Sequence, residues 1–137
     1  MPRNVKIKGI MDGRMIRAMD DGEDFGFIPV MMRVDTAGGS TNSVSLTMER
    51  KFTVIDAHAV LKAAGTTSDT YQIFNGSNAI SDAVSIASAS DKDIVRIGEI
   101  DDARMEIAAG GTLGVKVTAA ASDLPALVVY VLGYYHL

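Results

Sequence analysis

Phe52-Thr53-Val54-Ile55-Asp56-Ala57-His58-Ala59-Val60-Leu61 is a long, nearly continuous apolar run, apolar at odd and even positions alike. Such a run reads as an extended segment buried on both faces, the first long strand of a domain that continues to the C-terminus. On its C-terminal side the chain is cut into short β-type pieces by Gly, Asn, Ser and Asp, the punctuation of an all-β fold. The segment on its N-terminal side is Met-rich and dotted with charge, with weaker periodicity.

The pieces after Leu61 keep a regular cadence. Tyr71 to Phe74, the turn Asn75-Gly76 and Ser77 to Ile80 read as a hairpin, because Asn-Gly tolerates the positive φ angles of a type I′ turn. Ala83 to Ser90 fits a helical face through Ile80, Val84 and Ala87, or a strand through Val84 and Ile86; strand is the preferred reading. Ile94 to Ile100 and Arg104 to Ala108 are short strands around the turn Asp101-Asp102. Leu113 to Thr118 places Leu113, Val115 and Val117 on one inward face, and Leu127 to Leu132 is rich in β-branched and aromatic residues. This count and spacing of strands predicts an antiparallel β-sandwich, jelly-roll-like, over residues 51–137.

Residues 1–50 read as a β-rich arm. Val5 to Ile10 alternates apolar with basic, Asp12-Gly13 signals a turn, and Arg14 to Met19 suits a returning strand or, through Met11, Met15 and Met19, one face of a helix. Asp20 to Asp24 is an acidic turn. Phe25 to Asp35 is extended, but Pro29 keeps it from being a central strand along its whole length. Gly38 to Asn42 is a loop, and Val44, Leu46 and Met48 share one face. Met11, Met15, Met19, Met31, Met32 and Met48 all fall in these first 50 residues, which suits an arm packing on neighbours or an ordinary loose core.

Composition narrows the functions open to the chain. With 137 residues, 47% of them hydrophobic, and a net charge of -4, it has globular composition and lacks the basic balance typical of nucleic-acid binders. There is no cysteine, hence no disulfide or thiol chemistry. The N-terminus has no signal-peptide pattern, and the run Leu124 to Leu137, broken by Pro125 and Gly133, is too short to span a bilayer. A soluble product of the cytoplasm is expected, without membrane or nucleic-acid partners.

No arrangement of residues announces a reaction. His58 and His136 stand alone in sequence, so a metal site is not expected and His58 reads as a structural or surface residue, with Asp56 on its face. A calcium loop begun at Asp20 fails, because Gly22, Phe25 and Met31 occupy its third, sixth and twelfth positions. Gly38-Gly39-Ser40-Thr41 and Gly110-Gly111-Thr112 lack the lysine of a phosphate loop and read as turns. Asn75-Gly76-Ser77 matches a glycosylation sequon, here only the sign of an exposed turn. Glu99, Asp101, Asp102 and Glu106 gather at one hairpin tip, where solvated carboxylates are expected instead of a glycosidase pair. No catalytic residue and no cofactor is therefore expected. The residues expected to bind a partner are Met11, Met15, Met19, Phe25, Phe27 and Met31 in the arm, with Tyr130, Tyr134 and Tyr135 at the C-terminus.

Phe52-Thr53-Val54-Ile55-Asp56-Ala57-His58, the turn Asn75-Gly76, Ala79 to Ala83, Ile100 to Ala103 and the turn Ala109 to Leu113 give an order of features that resembles small decoration (cement) or head-fibre proteins of tailed bacteriophages. The similarity is one of pattern, without an invariant motif, over the last two-thirds of the chain. It implies a β-rich, non-enzymatic virion protein, a homotrimer on the capsid surface with the major capsid protein as its partner. Another phage part, from the tail or the head–tail joint, is the first alternative. A carbohydrate-binding β-sandwich using exposed tyrosines is the second.

Overall fold

The Phe52–Leu61 stretch forms one strand of an all-β structure, a computed structural model that describes residues 27–66, 68–118 and 124–137. The strands are β1 (Phe27–Thr36), β2 (Asn42–Thr47), β3 (Phe52–Leu61), β4 (Thr70–Asn75), β5 (Asn78–Ala79), β6 (Val84–Ser85), β7 (Ile94–Arg96), β8 (Glu106–Ile107), β9 (Thr112–Thr118) and β10 (Leu127–His136). One sheet has the order β1-β10-β3-β7, with β8 also on β3; the other has the order β2-β9-β4-β5, with β6 also on β4. All pairings are antiparallel. If β5 with β6 and β7 with β8 are each taken as one interrupted strand, the chain crosses between two four-position sheets at every step except β4 to β5, which share a sheet. That is the jelly-roll order, and the sandwich expected from the strand cadence is the one found.

The core lies between the sheets. On β3 the inward side chains are Phe52 and Val54, then Ala57, Ala59 and Leu61. The parity changes because the register of β3 against β10 slips by one residue: Leu132 faces Asp56, while Gly133 faces Val54, leaving Ile55 unpaired and exposed. This β-bulge explains why the run looks apolar on both faces. The strand is covered by the second sheet on one side only, so the expected burial on both faces is corrected to a bulged strand with an apolar outer side. Gly133 is required beside the bulge: a Cβ there would lie 2.2 Å from the Thr53 carbonyl oxygen and 2.5 Å from the Phe52 ring. Phe52 meets Tyr135 edge-on, ring centroids 5.3 Å apart at 66°.

The second sheet contributes Leu113, Val115 and Val117 of β9, all fully buried, as the alternation predicts. Tyr71 of β4 is fully buried and spans the layers, its hydroxyl donating to the Val95 carbonyl oxygen of β7 at 2.5 Å. The β4–β5 hairpin forms where expected, with one change. Asn75 pairs with Asn78, so Gly76 and Ser77 are the central residues, and only Gly76 has positive φ, at 59°. Gly at the first central position is the type II′ arrangement, not type I′.

The sandwich begins earlier than residue 51. β1 pairs with β10 over its full length, and β2 pairs with β9 from Asn42 to Thr47. Residues 27–47 therefore belong to the two sheets, which corrects the expected arm over that part of its span; the rest of the expected arm, before Phe27, lies outside the described residues. The earlier strands look weak alone because β1 finds its partner at the other end of the chain. Pro29 is consistent with this placement, since β1 is the edge of its sheet among the described residues.

Burial raises the Tyr71 phenol above its ordinary value, favouring the neutral, hydrogen-bonded form in the folded state. Its contribution is intact below the unfolded tyrosine pKa of about 10 and is lost as pH rises beyond it. Tyr71→Phe should therefore cost about 1–2 kcal/mol at pH 7, by leaving the Val95 carbonyl oxygen short of a donor. The gap from wild type should narrow above about pH 10, where only the wild type loses this contribution. Urea unfolding at both pH values checks the size and the sign.

Candidate interaction surface

The antiparallel registers place the outward side chains of the first sheet in rows that cross its strands. One row runs Arg33, Tyr130, His58, Arg96; the next runs Asp35, Val128, Val60, Ile94. On the other side lie Met31, Leu132 and Asp56, and then Pro29, Tyr134, Thr53 and Glu106. Met31 (56% exposed), Leu132 (38%) and Ile94 (66%) stand open to solvent on this face, together with Ile55 (53%) pushed outward by the bulge. Val128 fills the surface between them and is almost buried.

The polar groups of the face are paired within it. Arg33 Nε donates to Asp35 Oδ1 at 2.9 Å, and a guanidinium nitrogen of Arg96 donates to Asp56 Oδ2 at 2.5 Å. The hydrogen bond from Arg33 lowers the Asp35 pKa and raises that of Arg33 itself. These exposed pairs contribute little to stability. Their effect is to leave the face locally neutral. Tyr130 and His58 stack at 5.2 Å and 26°, and Tyr134 lies against His136 at 5.1 Å. The His136 ring shares a 2.7 Å hydrogen bond with the Thr53 hydroxyl.

Of the residues expected to meet a partner, Met31, Tyr130 and Tyr134 lie together on this face. Phe27 opens β1 opposite His136. Met11, Met15, Met19 and Phe25 lie outside the described residues. Tyr135 points the other way and packs on Phe52, half-buried against the core, so it does not lie on this face. Ile55, Ile94, Leu132 and His58 complete the face and are not marked out by the sequence. Leu132 sits in an apolar run where nothing separates inward from outward positions, and Ile55 owes its exposure to the bulge.

The acidic segment between β7 and β8 is not the expected hairpin tip, since both strands pair with β3, but it has a structural use. Asp101 Oδ1 accepts from the Ala103 amide and Oδ2 pairs with Arg104 at 3.5 Å, while Glu106 pairs with Lys51 at 3.2 Å. All of these carboxylates are exposed. Two depressions adjoin the region. A groove of about 620 Å³ runs from Ile55 and Asp56 past Arg96 to Ile100, and a smaller one of about 280 Å³ is lined by Gln72, Ser81, Asp82, Glu99 and Arg104. Among the described residues, no three His, Cys, Asp or Glu side chains converge in a way that could hold a metal ion. No protein-family model matches this sequence, and no curated protein does.

An exposed apolar row joined to neutral, internally paired ions is suited to broad contact with another protein surface. The two sides of β10 should respond differently to substitution. Tyr135→Ala should cost about 1–3 kcal/mol, through lost packing of a half-buried ring on Phe52. Leu132→Asn, on the open face, should cost under about 1 kcal/mol. Chemical denaturation of both variants measures the contrast.

Proposed function

We propose that this protein is a non-enzymatic structural component of a tailed-bacteriophage virion, a capsid decoration protein made in the host cytoplasm and bound to the major capsid protein. The observation that carries the reading is the outer face of the first sheet, where Met31, Ile55, Leu132 and Ile94 are exposed around the Tyr130–His58 stack. Jelly rolls serve in viral shells, lectins and enzymes, so architecture alone does not select among them. The resemblance of the Phe52–Leu113 features to decoration proteins supplies the direction. The open apolar face supplies the physical means, since a protein that braces a shell needs contact area repeated over many copies. A part of the tail or the head–tail joint would use the same face against a different neighbour.

Mixing the purified full chain with undecorated capsids and sedimenting the particles tests this reading. Saturable binding is expected, weakened at least tenfold by Leu132→Asp, which puts an unpaired charge into the contact. Absence of saturable binding rejects the decoration role. Binding to a glycan array that is abolished by Tyr134→Ala selects the carbohydrate-binding alternative instead.

A further inference from the structure

We infer that the edge of β1 left unpaired by the described residues is a self-pairing site, joining this chain to a second copy by antiparallel β1–β1 ladder formation about a twofold axis. This goes beyond the virion reading and does not rest on it. It sets a pair as the basic unit, where the resemblance implied three copies.

The inference starts from backbone direction. The His136 amide donates to the Lys51 carbonyl and the Lys62 amide to the Ala126 carbonyl, so even-numbered residues of β10 turn their backbone groups toward β3. Odd-numbered residues turn theirs toward β1, as the Leu127 amide does in reaching the Thr36 hydroxyl. In the β1–β10 register, odd residues of β10 stand opposite even residues of β1. Met31, Arg33 and Asp35 therefore present their N–H and C=O groups to the other side, where no described residue forms a ladder with them. Pro29 has the same parity. Its missing N–H costs β10 nothing.

This edge is unusually well prepared for a strand. It is 10 residues long and pairs with β10 without a register shift, whereas the opposite edges of the sandwich consist of strands of two or three residues. Short, charged or bulged edges are the usual protection against pairing, and β1 has only Pro29 and the self-neutralised Arg33–Asp35 pair. Side chains on both faces are incompletely covered: Met31 and Ile28 are exposed, and the core-facing Val30 and Met32 are half-buried. A strand alongside would cover all four.

Charge and length select the partner and the register. Centring the pair on Met31 sets Met31 against Met31 of the second copy, Pro29 against Arg33 and Phe27 against Asp35. On the inner face, Val30 meets Met32 and Ile28 meets Val34. No like charges oppose, nearly the whole strand overlaps, and about eight backbone hydrogen bonds can form. Centring on Arg33 would instead oppose two arginines. The product is a continuous sheet, β7-β3-β10-β1 and its symmetry mate, that doubles the apolar outer face.

Sedimentation equilibrium of the full chain over a wide concentration range, with far-UV circular dichroism, tests the inference. The wild type should show a concentration-dependent mass of two copies. Met31→Pro removes an N–H that β10 does not use, so it should keep the wild-type spectrum and run as one copy. Met31→Lys leaves every backbone group in place but sets two like charges together at the axis; it should weaken association at least tenfold even if the proline variant misfolds. A wild type of one copy throughout, a three-copy species, or a pair unaffected by the folded variants would overturn the inference. So would a single-copy protein whose Met31, Arg33 and Asp35 amides resist hydrogen exchange, since that edge would be covered by the chain itself.

Discussion

The C-terminal strand holds the structure together by lying between β1 and β3, making ten register pairs with the first and nine with the second. The Thr36–Leu127 contact joins residues 91 positions apart, so this ladder forms only when the chain closes on itself. Without β10 the first sheet would be left as two separated pieces, and the core formed by Val34, Val129 and Ala59 in one row, and by Met32, Val131 and Ala57 in the next, would have no middle. The loop-closure cost is offset by burying a continuous apolar layer against β9 and β4.

The same ladder shapes the outside of the molecule. The single-residue slip at Ile55 lets Phe52 and Val54 stay in the core while turning Ile55 outward, and it needs Gly133 on β10 for the close approach. Because β10 is paired on both sides, its outward residues Val128, Tyr130 and Leu132 form the middle of the exposed face instead of its rim. Because β1 is paired on one side only among the described residues, its odd-numbered backbone groups face away from β10. Face and edge meet at Met31, so one region offers both a flat apolar contact and a strand to extend. The proposed structural role would draw on both features.

Much of the architecture was legible in the sequence, for local reasons. Asn75-Gly76, Gly110-Gly111 and the inward alternation of Leu113, Val115 and Val117 mark turns and strands that form from nearby residues. The place of β1 and β2 was not legible, because their partners lie near the C-terminus and no pattern within Phe25 to Met48 reveals them. Pro29 held a clue: a proline in an otherwise good strand points to an edge. The candidate surface was half visible. Met31, Tyr130 and Tyr134 were found by residue type, but Tyr135 does not lie on this face, since which of two adjacent tyrosines faces the core depends on register against β3 and β1. Ile55 and Leu132 were hidden for the same reason.

Residue-resolved hydrogen exchange tests most directly whether the sandwich is a single cooperative unit closed by β10. The amides of Val30, Met32 and Val34, bonded toward β10, should exchange at the slow rate of β3 and β10 themselves. Fast exchange over residues 27–47, with β3, β9 and β10 still protected, would contradict this and restore a detachable arm ahead of an independent domain.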